Sequence, residues 1–374
     1  MESVGLNALF LAPGDSGGPE TYLRELTRAL AAEYPALRIV VFTTGSGRRA
    51  LAADDFGDLA ELQALPTEEY RRARRQFSEQ LLLPLTARRR RLDLVHSLAN
   101  TGPLRTPGLP AVLTLHDVIF MRHGTFGRVT TWGLGQVVPR AARDADALIA
   151  VSAAARDEIC SVLGLDSARF SVVPHGMGPV PRSKPATEDG LRGRLGITGG
   201  RLVSCVAALR PHKNQELLLR AMGDLPDDCV LVLAGRHEPY AGELQALARS
   251  VGVAGRVRFP GYVSDAELER LWLLSSCAAF PTRAEGFGLP VLEAMARGVP
   301  VACSDLPVLR EVGGDVPLYF DPTEPASAAR AIGAALDDAE RGRRGVERAA
   351  RFSWAESARG HMEAYERAVA AAQA

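Results

Sequence analysis

The sequence predicts an α/β protein made of two Rossmann-like domains whose parallel sheets face a common crevice. Three observations carry this. Short apolar runs of strand length alternate with segments of helical periodicity, the pattern of a parallel sheet covered on both faces. The pattern halts at a proline-rich polar stretch, Pro179 to Gly190, and restarts beyond it. A chain of 374 residues also suits about two domains. The expected division is an N-terminal domain over 1–178, a linker over 179–190, a C-terminal domain over 191–352, and a last helix over 353–374.

In chain order, Leu6 to Leu11 reads as a buried strand, Gly14 to Gly18 as a turn, and Glu20 to Glu33 as a helix. Strands follow at Arg38 to Phe42, Leu92 to His96, Ala111 to His116 and Ala147 to Val151. After the linker, strands are expected at Leu202 to Ala207, Val230 to Ala234, Val257 to Phe259, Ala278 to Phe280 and Val299 to Cys303. Helices separate them at Asn214 to Met222, Ala241 to Val251 and Asp265 to Ser275. Trp354 to Ala372 is a final amphipathic helix. In such sheets ligands bind outside the strand C-terminal ends.

Composition narrows the class. Apolar residues make up 47% of the chain and charged ones 24%, as in an ordinary soluble globular protein. The formal net charge is zero, so no bulk field attracts nucleic acid or anionic lipid. Five scattered cysteines form no Cys-x-x-Cys pair, and four sit in apolar runs, which suggests reduced core residues of a cytoplasmic protein. The N-terminal segment does not read as a signal peptide. No apolar run approaches the roughly 18 residues of a membrane span. Of 44 cationic side chains, only Lys184 and Lys213 are lysines.

The segment 285–293, Glu-Gly-Phe-Gly-Leu-Pro-Val-Leu-Glu, is the most informative. Glu285 falls on a loop after a strand. Pro290 to Gly298 reads as a helix, with proline suited to its start and glycine to its stop. Glu293 is thus expected in the first helical turn, leaning back toward Glu285. Unpaired N–H groups and the positive end of the helix dipole between the two acids would seat a phosphate. A nucleotide-diphosphate sugar fits, with hydroxyls at both ends and phosphates in the middle. The plainer alternative is a dipole-complementing Glu293 and an exposed loop acid at 285.

Further signals surround this one. Leu209-Arg210-Pro211-His212-Lys213-Asn214 follows a strand, with Asn214 a good helix N-cap and Lys213 a compact charge suited to a leaving diphosphate. Gly17 and Gly18 open the first helix, where glycine lets the backbone approach a phosphate. The segment is not Gly-x-Gly-x-x-Gly, and Thr43-Thr44 stand where a ribose-binding acid would be, which argues against NAD. His116-Asp117 ends a buried strand. Asp144-x-Asp146 resembles a metal-holding pair but precedes a core strand, so no metal is expected. Arginine clusters at Arg71 to Arg75 and Arg88 to Arg91 flank an apolar run, Leu81 to Leu85. They read either as a solvated helix face or as a patch for a membrane surface or anionic acceptor.

These residues resemble the retaining family-four glycosyltransferases (group 1 type) of the GT-B fold. The resemblance is densest from Val203 to Pro322. It rests on Pro211-His212-Lys213-Asn214, Phe259 to Val263, Glu285 to Pro290 with Glu293, Gly298 to Val301 and Glu311-Val312. In the first half it rests on Gly17 to Glu20, His116-Asp117, Ala150 to Ser152 and Val172 to Gly176. The resemblance implies that Glu293 binds ribose hydroxyls and Glu285 the donor sugar. Gly286, Phe287, Gly288 and Leu289 would contact sugar and phosphates. Lys213, with Arg210 nearby, would hold the diphosphate, approached by Gly17 and Gly18. His116 would line the sugar pocket, and Gly261, Tyr262 and Val263 would flank the base. The last helix would cross back to the first domain. The chain departs from the family at Ala208, where a second cation is common, and at His175-Gly176-Met177-Gly178, which replaces Asn-Gly-Val-Asp.

The expected activity is metal-independent, cofactor-free, retaining transfer of a hexose, mannosyl-type favoured, from a nucleotide-diphosphate sugar to a hydroxyl of a glycan, glycolipid or small molecule. The expected location is cytoplasmic, with weak peripheral membrane contact through the arginine clusters. The competing readings are a sugar-nucleotide epimerase of the same fold and a nucleotide-sugar-binding protein whose catalytic site has been retired.

Overall fold

A computed structural model describes residues 1–13, 17–54, 56–68, 72–122, 128–178, 180–236, 239–336 and 338–373. The chain divides into two units, Met1–Gly176 with Ser353–Ala374, and Met177–Phe352.

In the first unit the described strands are β1 (Ser3–Asn7), β2 (Arg38–Thr43), β3 (Glu61–Ala64), β4 (Leu94–Ser97), β5 (Ala111–Leu115), β6 (Ala147–Ala150) and β7 (Phe170–Val172). They form one parallel sheet in the order β3-β2-β1-β4-β5-β6-β7. β1, β4, β5 and β6 are buried along their whole length, as strands covered on both faces must be. The first strand is shorter than its apolar run suggests. It ends at Asn7, whose side-chain oxygen accepts the Leu9 N–H, and Leu11 N–H turns back to the Ala8 carbonyl at 3.0 Å. Ala8, Leu9 and Leu11 remain buried beyond the strand end, so apolar character persists after pairing stops.

The C-terminal helix Trp354–Gln373 belongs to this unit. Its inner face joins the core around Tyr22, Leu26 and Ile149 through Ala358, Met362, Tyr365 and Ala368. A buried polar network adds specificity. Tyr22 Oη lies 2.6 Å from His361 Nε2 and 2.9 Å from Thr114 Oγ1, while His96 bridges Thr114 Oγ1 at 2.7 Å and Tyr365 Oη at 2.8 Å. His361 Nδ1 donates to the Ser357 carbonyl at 2.6 Å, so its Nε2 accepts from Tyr22. Burial, foremost, lowers the pKa of His96, His175 and His361, the last to about 4. The cluster is therefore neutral near pH 7.

In the second unit the described strands are β8 (Arg201–Val206), β9 (Cys229–Ala234), β10 (Val257–Gly261), β11 (Ser275–Phe280), β12 (Val301–Ser304) and β13 (Leu318–Phe320). They form a second parallel sheet, ordered β10-β9-β8-β11-β12-β13. In both sheets the order reverses direction beside the first strand, the switch point where α/β sheets place ligands. β3, β7 and β13 were not expected from sequence. Cys205, Cys229, Cys277 and Cys303 are buried and unbridged, and Cys160 is partly exposed. Among the described residues no helix is long and apolar enough to cross a membrane.

Candidate functional site

The second unit brings Lys213 and Glu285 together across 72 residues of sequence. After β8 the chain makes a short 3-10 turn, Pro211–Lys213. Asn214 follows in the left-handed region at φ 57°. It is not the side-chain N-cap expected from sequence. Its buried amide instead donates to the carbonyls of Pro281 and Pro322, each at 2.9 Å. The His212 carbonyl accepts the Arg283 N–H at 2.8 Å and the Thr282 hydroxyl at 3.2 Å. The loop after β8 is thereby tied to the loop after β11, and Lys213 Nζ reaches Glu285 Oε2 at 2.5 Å. Both side chains are about one-fifth exposed, at 21% and 19%. They line a concave pocket with Cys205, Ala207, Phe280, Pro281, Thr282 and others.

The other wall is the start of the helix Leu289–Ala296. Its cap, Gly288, has φ 99°, and a Cβ there would sit 2.7 Å from Leu309 Cδ2, so glycine alone fits. The helix begins one residue earlier than the sequence suggested, which makes Glu293 its fifth residue and leaves no acid in the first turn. Placement in the first turn is corrected accordingly, and dipole complementation no longer accounts for Glu293. Pro290 has no N–H, and those of Val291 and Leu292 both go to the Gly288 carbonyl. The donors left at this helix end are those of Gly288 and Leu289, fewer than expected.

Glu293 Oε1 accepts from Arg182 Nη2 at 2.7 Å. Arg182 lies in the proline-rich stretch read as a linker, and nothing in the sequence pointed to it. Phe287 is buried and packs edge-on against Phe352 with ring centroids 5.9 Å apart. Tyr262 is 62% exposed, and the Arg236 guanidinium lies 5.9 Å from its ring centroid. Val263 buries its side chain among Leu191, Leu195 and Leu271, so only its main chain could address a ligand. The Arg210 carbonyl accepts the Lys213 N–H at 2.9 Å.

The remaining candidates lie in the first unit. Gly17 (φ 57°) precedes the helix Gly18–Glu33. Both glycines are exposed, and a Cβ on either would meet nothing within 4 Å. Gly14, Asp15 and Ser16 lie outside the described residues, as does Arg71. His116 follows β5, with Nε2 2.7 Å from the Leu98 carbonyl. A carbonyl can only accept, so Nε2 carries the hydrogen and Nδ1 is left as an acceptor. Burial lowers the His116 pKa, opposed by that bond, and the ring is neutral. Asp146 Oδ2 accepts the Ala111 N–H at 2.7 Å, a structural role at the start of β5. Asp144 ends the helix Arg128–Asp144. Among the described residues, no group of three His, Cys, Asp or Glu side chains converges as metal ligands would.

Comparison with known proteins places this geometry in a family. Residues 16–179 match the family described as Glycosyltransferase Family 4, and residues 189–352 match Glycosyl transferases group 1. D-inositol 3-phosphate glycosyltransferase of Nocardia farcinica is 32% identical over 60% of this chain and 53% of its own length. O-antigen chain mannosyltransferase B of Escherichia coli is 36% identical over 40% of this chain and 41% of its own. The chain thus spans about half the length of these two relatives. The crystal structure of Anabaena Alr3699/HepE in complex with UDP and glucose superposes with a TM-score of 0.75, at 21% identity, over 97% of this chain and 99% of that one. The chain belongs to the group 1, family 4 glycosyltransferases, built on the GT-B fold of two parallel-sheet α/β units.

Proposed function

We propose that the protein transfers a hexose from a nucleotide-diphosphate sugar to an acceptor hydroxyl, with retention at the anomeric carbon and without a metal ion. The observation that carries this is the Lys213–Glu285 pair, held at 2.5 Å in a pocket walled by a helix N-terminus. Anionic phosphate suits that helix end and the lysine ammonium. Glu285 accepts hydrogen bonds from sugar hydroxyls, and Glu293 accepts them from ribose. The acceptor oxygen bonds to the anomeric carbon on the face from which the diphosphate departs, and the departing phosphate oxygen takes the acceptor's proton. Charge grows on the leaving diphosphate, so Lys213 stabilises the transition state more than the ground state. Retention follows the family resemblance. UDP in the Anabaena complex and the mannosyltransferase name of the Escherichia coli relative support a nucleotide sugar, with mannosyl-type donors first to be tried.

A thermal-shift panel of GDP, UDP, dTDP and ADP tests the reading. Ligand at about 100 times Kd should stabilise the protein by roughly 2.7 kcal/mol. In calorimetry Glu293→Ala should weaken the selected nucleotide about ten- to hundredfold, the worth of lost charged hydrogen bonds. No shift with any nucleotide would refute the proposal.

The first unit also supports contact with an anionic membrane surface. Phe77, Leu81 and Leu85 recur every four residues and are 57%, 50% and 52% exposed. Arg74 and the exposed pair Arg88 and Arg89 bracket this stripe, while Ser78, Glu79, Leu83, Pro84 and Ala87 face inward. Apolar side chains between arginines match an acyl–headgroup boundary. Co-sedimentation with vesicles containing phosphatidylglycerol should exceed that with phosphatidylcholine alone and fall in Phe77→Ser/Leu81→Ser. Equal sedimentation with both lipids, or a concentration-dependent dimer that this double variant abolishes, would overturn the assignment. A cytoplasmic location is proposed with it.

A further inference from the structure

Glu293 is placed by a network of charge. Its Oε1 is held by Arg182 Nη2 at 2.7 Å, with the side chains 12% and 24% exposed. The main-chain N–H of Arg182 donates to Glu269 Oε1 at 2.8 Å. Glu269 is buried and receives Arg297 Nε at 2.7 Å, and Arg297 donates back to the Glu293 carbonyl at 3.0 Å. Two glutamates and two arginines therefore alternate around one corner of the second unit, joined by two guanidinium–carboxylate contacts and two links through the main chain. Burial pushes the Glu269 carboxyl up, but the Arg297 hydrogen bond, the Arg182 N–H and both guanidiniums outweigh it and leave it below its usual value. The Arg182 backbone is thus fixed by a buried acid that is ionised near pH 7, and its side chain is aimed at Glu293 from a fixed base.

This arrangement answers a problem at Glu293. As the fifth residue of its helix it sits beyond the capping positions, and Arg182 is its hydrogen-bonding side-chain partner. A long carboxylate side chain there would otherwise sample several rotamers, and ordering it on binding costs free energy. With Oε1 held by Arg182, Oε2 remains to accept from a ligand, and Oε1 keeps a second lone pair. Resting on the ribose assignment proposed above, we infer that Arg182 is a positioning residue. It holds Glu293 in the orientation that receives the ribose hydroxyls of the nucleotide.

The test is calorimetry of the nucleoside diphosphate selected by the panel, on the full chain, with donor kinetics alongside. Arg182→Ala should weaken the nucleotide about tenfold, the worth of an orienting charged hydrogen bond. Its donor KM should rise while kcat is kept, because ribose contacts serve ground and transition states alike. Arg182→Lys restores the charge and should recover most of the affinity. Arg182→Ala/Glu293→Ala should bind no more weakly than Glu293→Ala, since the arginine acts through that acid. A merely structural role would lower the melting temperature without this coupling. Affinity lost in Glu293→Ala but kept or tightened in Arg182→Ala would overturn the positioning role alone, as would strictly additive losses. Affinity unchanged in Glu293→Ala would overturn the ribose assignment and this inference with it. If Arg182→Ala does not fold, Arg182→Met, which keeps the aliphatic stem but removes the charge and the donors, takes its place in the same cycle, and strictly additive losses with Glu293→Ala give the same refutation.

Discussion

Removing Lys213 should separate two quantities that the pocket combines. At 2.5 Å and an effective dielectric of about 20, the attraction between Lys213 and Glu285 is about 7 kcal/mol gross. Desolvating the two groups offsets most of it, and solvent screening at one-fifth exposure reduces it further. A net loss of about 2 kcal/mol is expected for Lys213→Ala, because the Glu285 carboxylate is left half-buried without its cation. For a unit of this size that lowers the melting temperature by roughly 4–8 °C. Lys213→Ala/Glu285→Ala should be no less stable than the single variant, since nothing charged is stranded. Turnover should behave otherwise. With the diphosphate as leaving group, Lys213→Ala should cut kcat/KM by about 10² or more, and the double variant should not recover it. Lys213→Arg should recover only part, because a planar fork does not replace a compact ammonium. The assay is release of nucleoside diphosphate from donor, paired with a thermal melt. Wild-type kcat/KM in Lys213→Ala would refute the leaving-group role, and a fully active Lys213→Arg would show that the compact charge is incidental.

Two further outcomes follow from the same geometry. Activity should persist in excess chelator, and Asp144→Ala should not alter donor binding, because Lys213 and the helix end at Gly288 balance the phosphates; activity lost to chelator and restored by Mg²⁺ or Mn²⁺ would overturn the metal-free mechanism. The first unit should lose stability in acid, because burial holds the His361 pKa at about 4 while an unfolded histidine titrates near 6.5: the unfolded chain then takes up the protons, stability is full above about 6.5 and falls toward 4, and between pH 7 and 5 one such histidine costs about 2 kcal/mol, so a melting temperature constant over that interval would contradict the neutral cluster.

Much of this was readable from the chain. Apolar runs such as Val40-Val41-Phe42 and Leu231-Val232-Leu233 marked buried parallel strands because both faces of such strands are covered. β3 and β7 escaped because edge strands carry mixed residues, as in Glu61-Leu62-Gln63-Ala64. The Lys213, Glu285 and Glu293 set was visible through its setting at strand ends and a helix start. Arg182 was not, since its role depends on a contact across 111 residues and on a buried acid, Glu269, that looks like any helical glutamate in sequence. Asn214 misled for a related reason. Asparagine before a helix usually caps it, but here two distant proline carbonyls compete for the amide and win. The cluster of His96, His116, His175 and His361, whose rings all pack around Tyr22, was equally hidden, with its members spread from 96 to 361.

The most direct measurement of the central claim is turnover of nucleotide-diphosphate hexoses, starting with the GDP and UDP sugars, followed as nucleoside diphosphate release and as the fate of the sugar, in wild type and Glu285→Gln. The account predicts donor-dependent release in the wild type. Glu285→Gln should lower kcat far more than it lowers affinity for the free nucleoside diphosphate, because this acid addresses the sugar. An epimerised donor without nucleotide release, or a Glu285→Gln protein that loses nucleotide affinity as steeply as turnover, would contradict it.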